Sequence, residues 1–147
     1  MTIRKSVYQI IEADDKFSIL LEVLNKSGIG RAMQHEDRPF TFFAPTDGAF
    51  YRMFQNSSPQ DSAEGRKILV ASILGNHIIP SVALYSEDLR RRESVQSLDG
   101  KNLPLRSDGS RLFIGEAQIV SPAVPAENGV VFAIDRVLFA PADNEIQ

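Results

Sequence analysis

The chain has two imidazoles, His35 and His77, 42 positions apart. An imidazole metal site needs its ligands on one helix face or strand, at spacings such as HxxxH or HxH, and neither spacing occurs. The absence of cysteine excludes disulfides, thiolate ligands and thiol nucleophiles. His35-Glu36-Asp37 is a polar loop cluster. His77, between Asn76 and Ile78-Ile79, reads as a buried imidazole bonded to a main-chain group. Serine catalysis would need a nucleophile elbow or a histidine with an orienting acid, and no G-x-S-x-G is present. Asp47 and Asp135 read as a helix cap and a strand-end acceptor. Nor is there a glycine-rich phosphate loop. The sequence therefore predicts no catalytic residue, no metal site and no cofactor.

Charge and composition narrow the partners. A net charge of −3 argues against a nucleic-acid binder, which needs a basic field. The Arg90-Arg91-Arg92 run is flanked by Glu87, Asp88 and Glu93 and reads as a solvated helix end. No apolar run reaches the roughly 18 residues of a membrane span, and the first residues show no signal-type apolar region. Two sequons, Asn25-Lys26-Ser27 and Asn56-Ser57-Ser58, would matter only on a glycosylating secretory route, with Asn56 the better placed.

These residues must be held by elements that the periodicity outlines. Ile3, Val7, Ile10 and Ile11 form a helical stripe, and Phe17, Leu20, Leu21 and Leu24 form a second that ends at Gly28. Ile29 to Met33 adds a further turn. Thr41-Phe42-Phe43-Ala44 is a short buried strand that Pro45 ends; Thr46 and Asp47 then cap a helix over Gly48 to Met53. Residues 55–65 read as a loop, and Arg66 to Leu74 as a helix. From Ser94 onward short apolar runs alternate with Asp99-Gly100 and Ser107-Asp108-Gly109-Ser110, the composition of a hairpin meander. Asn128-Gly129 turns into Val130 to Leu138, apolar but for Asp135-Arg136. Helices first and strands second make an α+β domain over residues 1–141, with a loose tail at 142–147.

The early block Thr41-Phe42-Phe43-Ala44-Pro45-Thr46-Asp47-Gly48-Ala49-Phe50 and the late block Asn128-Gly129-Val130-Val131-Phe132-Ala133-Ile134-Asp135-Arg136-Val137-Leu138 resemble the paired signatures of the fasciclin domain family. His77 matches the family's middle histidine, and Tyr85-Ser86-Glu87-Asp88-Leu89 is similar to its "YSxDL". The resemblance implies two β-sheets meeting in a wedge or sandwich, with helices packed on the side. It also implies a non-enzymatic binding or cell-adhesion module, extracellular or periplasmic, that recognises a protein or glycan; with no signal peptide in the chain as given, a cytoplasmic site stays open. The surface expected to carry recognition lies at Thr46, Asp47, Asn76 and His77 with the hairpin tips, and Tyr51, Tyr85 and Arg38 are candidate anchors. Integrin recognition is not implied. Asn76 stands where animal members place tyrosine, Ala123-Val124 where they place an Asp-Ile pair, and Phe132 replaces the late histidine. The alternative is carriage of an apolar small molecule, a carotenoid or lipid, with Phe42 and Phe132 as candidate lining.

Overall fold

The computed structural model describes residues 5–34, 38–55, 63–72 and 74–138. Helix α1 (Val7–Ala13) is capped by Ser6; Ile3, the first residue of the expected stripe, lies outside the described residues. Ser6 Oγ accepts from the Gln9 N–H while Gln9 Oε1 accepts from the Ser6 N–H, a reciprocal cap that fixes the first turn. After a 3₁₀ turn at Asp15–Phe17, α2 (Ser18–Ser27) runs to Gly28, whose φ of 82° ends it in the left-handed region. The short α3 (Ile29–Gln34) follows, and β1 (Phe40–Pro45) leads directly into α4 (Asp47–Gln55). Helix α5 (Ala63–Ser72) and a 3₁₀ turn at Leu74–His77 deliver β2 (Ile78–Pro80). Beyond α6 (Ser86–Arg90) come β3 (Ser94–Gln96), β4 (Asn102–Asp108), β5 (Arg111–Ile114), β6 (Ala117–Ile119), β7 (Val124–Ala126) and β8 (Gly129–Ile134). The architecture is α+β.

The central pair is β1 and β8, parallel in register from Phe40↔Gly129 to Pro45↔Ile134. The strand path runs β2-β1-β8-β6-β5-β4-β3, with β7 also on β8. It divides naturally in two, because β6 and β8 share the single pair Ile119↔Ile134. On one side lie β2, β1, β8 and β7; on the other the meander β6, β5, β4 and β3. Just past β3, the Leu98 N–H donates to Ile78 O in β2 at 2.7 Å. The path thereby nearly closes on itself.

Side-chain alternation along β1 and β8 builds two cores. Phe40, Phe42, Ala44, Val131 and Ala133 face the helices and meet Val7, Ile11, Leu20, Leu24 and Phe50. Phe43, Val130, Phe132 and Ile134 face the space between the two halves of the sheet, with Leu103, Ile114 and Leu89. A strand covered on both faces has no solvated positions to alternate with, which is why both blocks read as near-continuous apolar runs. Phe43 and Phe132 stack with centroids 5.5 Å apart. Pro45 is tolerated inside β1 because its missing N–H would face the β2 side, and β2 pairing stops at Phe42↔Ile78.

Candidate functional site

Thr46 and Asp47 sit where β1 becomes α4, and they divide the capping work. Thr46 Oγ1 accepts from the Ala49 N–H at 3.3 Å and so caps α4, as the sequence predicts. Asp47 does not share that task. Its Oδ1 accepts from the Ile19 N–H at 2.8 Å and its Oδ2 from the Ser18 hydroxyl at 2.6 Å. Helix α2 starts after Phe17, whose side chain cannot cap it, so Asp47 supplies the missing acceptor from 28 residues away. The carboxylate also meets the positive end of the helix dipole. Both residues remain half-buried at the surface.

Asn76 and His77, expected on the contact surface, lie inside, with exposures of 1% and 0%. The 3₁₀ turn between α5 and β2 points both side chains at the main chain of Leu138. Asn76 Nδ2 donates to Leu138 O at 3.3 Å, and the Leu138 N–H donates to His77 Nε2 at 3.0 Å. The imidazole is thus the buried, main-chain-bonded group that its apolar setting predicts. The Thr46 N–H donates to Ile134 O at 3.1 Å. The two predicted pairs therefore do converge: both fasten the chain between Ile134 and Leu138. Neither side chain is open to a partner in this fold.

Asp135 accepts from the Gln118 N–H through Oδ1 at 2.8 Å, the strand-end role expected of it. Asp14 is held below the ordinary carboxylate range by its hydrogen bond to the Lys16 ammonium. It caps the 3₁₀ turn and is ionised at neutral pH. Among the described residues no three His, Asp or Glu side chains gather as metal ligands. His35, Glu36, Asp37 and Asn56 lie outside the described residues. Asn25 is exposed, and its Oδ1 accepts from the Tyr8 hydroxyl at 2.5 Å.

The accessible features are an aromatic on α4 and a groove. Tyr51 is 55% exposed, one helical turn beyond Asp47, with its ring edge-on to Phe54. Tyr85 is 39% exposed, and Arg38 is exposed. A cavity of about 520 Å³ opens between α3, α5, β2 and the turn after β3. Met33, Phe40, Ile78 and Leu98 wall it, and Arg38 and Asp99 bring opposite charges to it. Ser81, which also lines it, has a φ of 68°. Thr41 fixes that loop, its hydroxyl donating to Val82 O and accepting from the Leu84 N–H, both at 2.8 Å. The groove lies at the seam where the sheet nearly closes. The sequence could not locate it, since its walls come from four separated stretches; the one local signal was an apolar Leu98 beside the Asp99-Gly100 turn. Phe42 and Phe132, the expected lining, are fully buried in different cores and do not reach it.

A sequence model of the Fasciclin domain matches residues 15–141. Protein sll1483 of Synechocystis is 26% identical over 136 residues, covering 92% of this chain and 74% of that protein. The pig transforming growth factor-beta-induced protein ig-h3 is 30% identical over 138 residues, 94% of this chain and 20% of ig-h3. Among solved structures, a FAS1 domain pair from the insect cell adhesion molecule fasciclin I superposes with a TM-score of 0.78 at 18% identity, covering 95% of this chain and 52% of that one. Among the described residues, no helix is long and apolar enough to cross a membrane. With its two signature blocks paired as the parallel β1–β8 core and matched by the family model, the chain belongs to the fasciclin domain family.

Proposed function

We propose that this chain is a non-enzymatic binding module that works outside the cytoplasm and recognises a protein or glycan through the surface around the start of α4. The observation that carries this reading is the exposure of Tyr51 beside the Thr46–Asp47 junction. A rigidly seated aromatic is the residue type that anchors an interface, and the junction that presents it is fixed to β8 and to α2. The likeness in fold to a domain pair from the insect cell adhesion molecule fasciclin I is in keeping with the same reading. Asp47 contributes by holding the scaffold, so its replacement would confound folding with contact. Tyr51→Ala is the clean test. Beads coated with the protein should bind host matrix or an arrayed glycan, and the variant should retain its circular dichroism while losing about tenfold or more in capture. Unchanged capture by a folded Tyr51→Ala protein would remove this surface from consideration.

The groove favours a second reading, carriage of an apolar small molecule. Its volume falls in the range of small-ligand pockets, roughly 300–1,000 Å³, and its walls are mainly apolar. Native mass spectrometry of protein isolated from its own host separates the two. A bound mass lost on denaturation favours carriage; a bare polypeptide mass favours the binding module.

A further inference from the structure

We infer that His77 is an acid-sensitive latch on the strap of chain that leaves β8. Leu138 is held through both of its main-chain polar groups, its carbonyl by Asn76 Nδ2 and its N–H by His77 Nε2. An imidazole nitrogen that accepts a hydrogen bond carries no proton, so the bonded ring is neutral. A second proton on Nε2 would set two donors head to head and would place an imidazolium at a site with no exposure to water. Protonation and the Leu138 bond therefore exclude one another. Histidine is the side chain that ordinarily titrates in mildly acidic solution.

The 3₁₀ turn that carries His77 packs against α5, β1 and β2. Neither β1 nor β2 contains a titratable residue. The charged residues of α5 are Glu64, Arg66 and Lys67. In the strap itself, the Asp135 carboxylate accepts from the Gln118 N–H, and Arg136 is exposed. Asp99 lies against Gly75, with its carboxylate where a Cβ on that glycine would fall.

Opening the latch has consequences for both cores. Val137 belongs to the helical core and Leu138 to the core between the sheet halves. Releasing Leu138 loosens the end of both cores while leaving the β1–β8 ladder paired. The device responds to acidification by loosening the segment from Asp135 to Leu138.

Amide hydrogen exchange on the folded protein tests this, with rates corrected for the intrinsic effect of pH. Between pH about 7 and about 5, protection at Leu138 should fall about tenfold or more while Phe42 and Phe132 amides stay protected. In His77→Gln, whose side-chain oxygen can accept from Leu138 but does not titrate, Leu138 protection should be independent of pH. An equal fall in that variant, or steady protection in the native protein, overturns the latch. Should His77→Gln fail to fold, the native imidazole resonances decide. The His77 titration should coincide with loss of Leu138 protection, and a ring that titrates while Leu138 stays protected overturns it.

Discussion

Asp47 shows how a single carboxylate is used when a helix begins without a cap of its own. Phe17 precedes α2 and offers no acceptor, yet the Ile19 N–H and the Ser18 hydroxyl are both satisfied by Asp47. Asp47→Ala leaves those donors to water and removes a charge from the helix start, so it should cost about 1–2 kcal/mol in urea unfolding. Thr46→Ala, which loses one 3.3 Å cap on α4, should cost about 1 kcal/mol or less. If the two variants reverse this order, the cap on α2 is not what Asp47 contributes. Residue type alone announced that Asp47 was a cap. Which helix it caps was invisible, because that depends on α2 and α4 meeting in space.

At the scale of elements, the parallel β1–β8 pair sets the frame, and Gly129 sets its closeness. A Cβ built at Gly129 falls on the Phe40 carbonyl oxygen, at the first pair of the register. Asn128 works at the same point. Its main-chain oxygen accepts from the Phe40 N–H, its Oδ1 accepts from the Val7 N–H, and its Nδ2 donates to Met33 O. One residue thus joins the start of α1, the end of α3 and the head of the ladder. Gly129→Ala must push the strands apart, and a loss of about 3 kcal/mol or more is expected in denaturant unfolding. A loss below about 1 kcal/mol would mean that the ladder shifts to accommodate the methyl group. In sequence, Asn-Gly announced a turn; its role as a three-way clasp came from contacts with Val7, Met33 and Phe40, all distant in the chain.

For the whole molecule, the seam between β2 and β3 decides how closed the sheet is. It rests on the bond from the Leu98 N–H to Ile78 O. Leu98 follows Ser97 in a turn closed by the Gly100 N–H on Ser97 O, a position that proline suits. Leu98→Pro should therefore remove the donor with little strain, cost about 1 kcal/mol and speed exchange at Ile79. Leu98→Ala keeps the main-chain N–H, trims a residue already 56% exposed and should change stability by no more than about 0.5 kcal/mol. Equal effects from the two would show that the seam does not depend on this bond. Pro80 and the bonded Ile78 carbonyl also blunt the β2 edge, limiting strand addition from outside.

The sequence by itself determined the family, the α+β class and the main punctuation of the chain. Those features are local: Pro45 must leave a ladder, Gly28 ends a helix, and two-residue turns select their own dipeptides. For His77 it left two readings, a buried imidazole and a contact residue, and the structure decided for the first, with 0% exposure. Only the tertiary structure decided what the chosen residues do. Thr46, Asp47, Asn76 and His77 all act as internal fastenings, because their partners lie in α2, α4, β8 and the strap beyond it, distant in the chain. The groove is likewise a product of packing, formed where α3, α5 and the seam of the sheet meet, and no single stretch encodes it.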